Sequence, residues 1–182
     1  SLAFAKKSFR LYFRSEYGVG RLDYPLFEGT DLQSFNRLVL HNGGQDWPYP
    51  PLTNWTLMRN QLAARLAFEV QGYATHSQPA IMFLNGEPWG IYHIRERVDE
   101  DFLEDHYQIT EADFLDSPES AFRATKMGDR KHWDQLMTFV ESHDLSDPEA
   151  YAYVESQVDL ENYINYTIIQ MYSANTDWPA HN

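Results

Sequence analysis

Asp177 and Asn182 stand five residues apart in Asn175-Thr-Asp-Trp-Pro-Ala-His-Asn182, behind an apolar, Tyr-rich segment. A carboxylate followed at that distance by an amide is the pattern of a phosphoryl-transfer loop. There the Asp orients the acceptor hydroxyl and the Asn reaches a metal ion on the nucleotide phosphates. No His-Arg precedes this Asp, and an Asp-Trp-Pro turn after a helix writes the same letters. By itself the turn is the simpler account.

Other chemistries find less support. None of the seven His forms an i, i+4 pair with a suitable Glu, so a zinc-hydrolase motif is missing. Asp99-Glu-Asp101 reads as a set of helix-dipole partners rather than a glycosidase pair. There is no G-x-S-x-G and no G-x-x-x-x-G-K-[ST], which removes the α/β-hydrolase and P-loop readings. The absence of Cys removes disulfides, Cys-zinc sites and thiol nucleophiles while leaving the compartment open. A net charge of −13 argues against a nucleic-acid partner, so any phosphate chemistry needs a local basic pocket or metal ions.

These groups must be held by one domain, or most of one, in 182 residues that are 43% apolar and 15% aromatic. No apolar run is long enough to span a membrane. Ser1 to Lys7 is too short for a signal peptide and no initiator Met is present, so the chain reads as an excised piece. The Asn-x-Thr sequons at Asn54 and Asn165 read as chance matches.

Residues 8–14 alternate Phe9, Leu11 and Phe13 against Arg10, Tyr12 and Arg14, a half-buried strand. Leu22 to Phe27, broken by Pro25, belongs at an edge or in a loop. Phe35 to His41 is a second strand, stopped by Asn42-Gly43-Gly44. From Trp55 to Gln71 the spacing predicts a helix with Met58, Leu62, Leu66 and Val70 on one face, Thr53 or Asn54 as N-cap and Gly72 past its end. Strands at Ala80–Leu84 and Trp89–Arg95 are joined by Asn85-Gly86-Glu87-Pro88 as a hairpin. A short helix over 99–106 follows, then an irregular stretch over 108–130. Helices are expected at 131–143, 148–157 and, capped by Asp159, 160–172. Strands first and helices after make an α+β chain.

Lys6-Lys7-Ser8-Phe9-Arg10-Leu11 with Phe13, Leu38-Val-Leu-His-Asn42, Leu57-Met-Arg-Asn60, Leu84 to Tyr92 running on to Glu96-Arg-Val-Asp-Glu100 with Phe102-Leu103, and the loop from Asn175 to Asn182 together resemble the CotH kinase family. These are spore-coat atypical kinases also found in secreted bacterial proteins. The resemblance covers nearly the whole chain apart from an insertion near 108–157. It implies a two-lobed protein-kinase-like fold, with residues 1–96 like the sheet-rich N-terminal lobe, 97–182 beginning the helical C-terminal lobe, and ATP in the cleft.

By the same resemblance Asp177 is the catalytic-loop Asp, Asn182 ligates Mg²⁺ or Mn²⁺, and Lys7 is the nucleotide lysine. Strand alternation places Lys7 on the side of Phe9 and Leu11, while Lys6 points the other way with Arg10. Arg59 either contacts a phosphate or fastens its helix to the sheet, the latter being the commoner role for Arg. Glu96 falls in the position of a hinge segment, where a site role and a solvated charge beside Arg95 and Arg97 stand level. Trp89 and Trp178 could stack on adenine, though core packing suits them as well. In the family the second metal-binding Asp lies some two dozen residues past the catalytic one, beyond Asn182, so the segment alone is expected to be inactive.

The resulting expectation is an ATP-dependent Ser/Thr kinase acting on a secreted, coat or cell-surface protein outside the cytoplasm. Its rival is a kinase-shaped module for adhesion or coat assembly without catalysis. A carbohydrate-binding surface has only the Tyr and Trp content behind it.

Overall fold

The computed structural model describes residues 6–44, 46, 55–115, 125–176 and 178–179. They form an α+β protein with an antiparallel sheet and, among the described residues, five α-helices. The chain divides into two compact units, 1–68 with 74–109, and 69–73 with 110–182.

In the first unit, β1 (Phe9–Tyr12), β4 (Arg37–His41), β6 (Glu87–Glu96) and β5 (Ser77–Leu84) lie side by side in that order, all antiparallel. A second ladder pairs β2 (Leu22–Asp23) with β3 (Ser34–Phe35). Directly paired residues share a face of a sheet. Pairing of Phe9 with Leu40, Leu11 with Leu38, Leu40 with Ile94 and Leu38 with Glu96 therefore builds one continuous face. Of its members Leu11, Leu38 and Ile94 pack with Phe27, Phe35, Leu22, Leu26 and Leu32 from the β2–β3 region. Leu38 is wholly buried, and the Phe27 and Phe35 rings meet edge to face at 5.4 Å. The segment ending at Phe27, expected as an edge or loop, thus supplies part of the core.

The β5–β6 hairpin is tighter than the sequence suggests. Asn85 and Gly86 both have positive φ, 53° and 86°, so two residues complete a type I′ turn and Glu87 and Pro88 enter β6. Pro88, which has no N–H to give, pairs with Phe83 where the register shifts.

Helix α1 runs over Arg59–Glu69, four residues shorter at its start than the spacing predicts. Thr53 and Asn54 lie outside the described residues. The buried Asp46 serves the helix start instead, accepting hydrogen bonds from the backbone N–H of Thr56, Met58 and Arg59 at 2.5, 2.9 and 2.9 Å. Gln71 (φ 58°), not Gly72, takes the left-handed conformation at the other end. Ala67 is the buried residue of α1, whereas Met58 and Leu62 are exposed. The apolar spacing therefore misjudged the inward face, where a small side chain sits.

Helix α2 (Glu100–Tyr107) is capped by Asp99, which accepts from the Phe102 N–H at 3.3 Å. Arg37 of β4 reaches Asp99 at 3.1 Å and Glu100 at 2.6 Å, tying the sheet to the helix start. The Glu100 hydrogen bond is the main reason the guanidinium is held even more firmly protonated than usual.

The second unit contains β7 (Phe114–Leu115) paired with β8 (Thr125–Met127), then α3 (Lys131–Ser142), α4 (Pro148–Gln157) and α5 (Leu160–Tyr172). The stretch expected to be irregular thus holds a small ladder. Gly128 is required beside it, because an added Cβ would lie 1.7 Å from Asp113 Oδ1. Asp147 and Asp159 cap α4 and α5, and Pro148 occupies the first turn of α4, where its missing N–H costs nothing. Phe139 of α3 meets Tyr153 of α4 at 4.1 Å. No helix among the described residues is long and apolar enough to cross a membrane.

Candidate functional site

The face of the sheet opposite the core is polar. Pairing of His41 with His93 and of Val39 with Arg95 places both histidines and Arg95 on it. His93 is buried and His41 half-buried. Burial lowers the pKa of His41 to about 4, assisted by the charges of Arg95, His93 and Lys6. His93 is lowered by burial and then by Lys6, with Asp46 opposing, and Arg95 is lowered by burial. On a chain of net charge −13, Arg95 and Lys6 carry positive charge beside imidazoles held neutral mainly by burial.

Lys6 completes this group, and its placement departs from the alternation argument. Lys6 is buried, whereas Lys7 is exposed. The ammonium of Lys6 lies 4.3 Å from the centre of the Tyr92 ring and donates to the Ile91 carbonyl. Desolvation lowers its pKa. The Phe9 face is inward, as expected, but regular alternation begins only at Phe9. Before that point Asn42 sets the path. Its amide donates to the Lys6 carbonyl at 2.5 Å, and its Oδ1 accepts from Ser8 Oγ at 3.0 Å and from the Gly44 N–H at 2.9 Å. Tyr92 adds a hydrogen bond from its hydroxyl to the Lys7 carbonyl at 2.9 Å.

Arg59 stands in the first turn of α1 with its Nε 3.7 Å from Asp46, a contact that fastens the helix start, and its side chain is more than half exposed. Its neighbour Asn60 places Nδ2 3.4 Å from His41 Nδ1. Burial pushes the Asp46 carboxyl upward, but the backbone N–H groups of Arg59 and Thr56 and the Thr56 hydroxyl outweigh this and hold it below the usual range.

Glu96 is neither solvated nor on that polar face. As the pair of Leu38 it points to the core side and is buried. One carboxylate oxygen accepts from the His76 N–H at 2.7 Å and lies 3.0 Å from His76 Nδ1, while the other lies 2.5 Å from His106 Nε2. Burial pushes its pKa up, and the hydrogen bonds from the two histidines bring it below the ordinary value. The even spacing of residues 94 and 96 signalled this burial, but the two histidines come from distant sequence and no local motif announces them. Trp89 is half exposed on the hairpin. Asp177 and Asn182 lie outside the described residues.

The lysine pair before β1, the strand leading to His41-Asn42, the turn into α1 and the Gly-Glu-Pro-Trp-Gly hairpin thus occur together in one unit. The chain belongs to the CotH kinase protein family, whose match extends over residues 1–182, the whole chain. Membership places it among kinase-like proteins. Comparison with curated proteins finds no match.

Proposed function

We propose that this chain serves an ATP-dependent protein kinase transferring the γ-phosphate to Ser or Thr of a secreted, coat or surface protein. The observation that carries the nucleotide part is the gathering of Lys6, His41, His93 and Arg95 on an otherwise acidic chain. An anion placed there would pair with the charges of Lys6 and Arg95 and could accept hydrogen bonds from the neutral imidazoles, and phosphates supply that charge. Lys6 takes the role that alternation assigned to Lys7. Its ammonium is already desolvated, so its attraction to a phosphate is less weakened by water.

Arg59 stands at the start of α1 to meet an incoming anion, while Glu96 acts by position, fixing the end of β6. Asp177 orients the acceptor hydroxyl and receives its proton, and Asn182 supplies a hard oxygen donor suited to Mg²⁺ or Mn²⁺. A divalent metal held by Asn182 would supply charge neutralisation to the phosphates. The chain's own contribution is placement and charge stabilisation, because phosphoryl transfer asks little covalent work of the protein.

The test is phosphate transfer from γ-labelled ATP to a Ser-rich acceptor, with any natural sequence flanking the chain included. Metal-dependent labelling should fall by at least about 100-fold in Asp177→Ala, the lower end for loss of a general base. No labelling, with no rise in Tm on adding ATP, would favour a binding module for adhesion or coat assembly instead.

A further inference from the structure

His76, Glu96 and His106 converge from three elements of the first unit. His76 immediately precedes β5, Glu96 ends β6 and His106 lies in the last turn of α2. His76 Nδ1, His106 Nε2 and a Glu96 oxygen all lie within 4.8 Å of one another. The side chains are 15%, 14% and 4% exposed respectively. Two imidazoles and one carboxylate form a common donor set for zinc and its neighbours in the first transition row. The geometry points to a structural site for a divalent cation of the Zn²⁺ class, binding the head of β5, the end of β6 and α2 together.

The distances suit this use. Tetrahedral zinc with bonds of 2.0–2.1 Å sets its donor atoms roughly 3.3 Å apart. The Glu96 contacts, 3.0 Å to His76 from one oxygen and 2.5 Å to His106 from the other, would open while the three donors, now within 4.8 Å of one another, adjust around an ion. Each imidazole offers its lone pair once the proton now shared with Glu96 moves to the other ring nitrogen.

The surroundings also favour an ion. Phe68 stacks on His76 at 4.6 Å and Phe102 packs against His106 at 4.7 Å, making an apolar wall around the donors. Such a wall strengthens charge attraction and limits competition from water. The ion-pair partners of Glu96 among the described residues are the same two histidines, so a bound dication would meet a buried carboxylate directly. A chain without Cys has no disulfide or thiolate site to pin three distant segments, and His with Glu is the remaining metal chemistry. The site shares no residue with the group of Lys6, His41, His93 and Arg95, and its test does not depend on kinase activity.

The experiment uses untagged protein stripped of metal with a chelator, then titrated with Co²⁺ while the visible absorption of a tetrahedral ion is followed. Zn²⁺ is added afterwards to displace it, with Tm recorded throughout. One equivalent should bind, Zn²⁺ should bleach the Co²⁺ signal, and saturating Zn²⁺ should raise Tm by about 5 °C. His76→Ala and His106→Ala should lower affinity by at least about 100-fold, the upper end for losing even an outer-shell partner. Glu96→Gln, which retains the shape and one carbonyl acceptor, should fold by circular dichroism yet lose the metal-dependent Tm rise. His143→Ala, on an exposed histidine of the second unit, should bind as the parent does. Absence of stoichiometric uptake by the parent protein would overturn the proposal and leave a hydrogen-bonded cluster. So would uptake that persists in folded Glu96→Gln or His106→Ala.

Discussion

Replacing Asp46 by Ala removes the group that starts α1. Its carboxylate accepts from three backbone N–H groups, those of Thr56, Met58 and Arg59, and from the Thr56 hydroxyl at 2.9 Å. Met58 N–H has a second acceptor in Thr56 Oγ1 at 3.1 Å, so the loss falls mainly on the Thr56 and Arg59 amides. Loss of a cap costs about 0.5–2 kcal/mol, and each stranded donor adds about 1–3 kcal/mol where water is excluded. The half-exposed Arg59 side chain lets water reach part of the site, so the lower figures apply and the sum is about 3 kcal/mol. Asp46→Asn keeps one oxygen acceptor and should lose about 1 kcal/mol. The pH response has a fixed sign. The folded carboxyl sits below its unfolded value, so its stabilisation is present above pH about 4 and is lost as pH falls through the folded pKa. Asp46→Asn should lack that acid loss. Urea unfolding at neutral pH and hydrogen exchange in the first turns of α1 read both effects. A loss for Asp46→Ala below about 1 kcal/mol, with protection of α1 unchanged, would refute the capping argument.

Lys6→Met should weaken ATP binding at least about tenfold, as expected for a charge-assisted contact, whereas Lys7→Met should change it much less; the shift of Tm with ATP concentration measures both. His41, lowered to about 4, stays neutral in the folded protein while the unfolded chain protonates near 6.5. Stability should therefore be full above about pH 6.5, decline toward pH 4 and level off below it, and His41→Asn should flatten that slope in urea titrations at several pH values. Leu38→Ala, at a wholly buried position, should cost about 2–5 kcal/mol in the same unfolding assay.

Elements whose signals are local were legible in the sequence. The bounds of α4 and α5 agree with the reading from Pro148 and Asp159, because a cap and its helix are neighbours in the chain. The hairpin was found from Asn85-Gly86, although its strands proved longer once the turn closed in two residues. What escaped detection depends on distance in sequence. Asp46 caps a helix that starts thirteen residues later, and Asn42 fixes the backbone of Lys6 from across the sheet. Alternation said nothing reliable about Lys6 and Lys7 because it holds only within a strand, and β1 begins after them. The same limit hid the surroundings of Glu96, whose partners are twenty residues before it and ten after.

Several residues that carried the family resemblance prove to act on one another as architecture. Asn42 holds Lys6 and Ser8, Tyr92 holds the Lys7 carbonyl and lies under the Lys6 ammonium, and Asn60 reaches His41. Four of the five resembling segments therefore meet around Lys6 and His41. A catalytic role need not be assumed for each to explain why they occur together, since a buried ammonium is costly to desolvate and must be held in place. Placing that cost on a chain of net −13 makes sense if Lys6 and Arg95 have an anion to meet. Loss of Asn42 should then act like a weakened Lys6, lowering nucleotide affinity through the lysine's position while leaving every cation in the sequence.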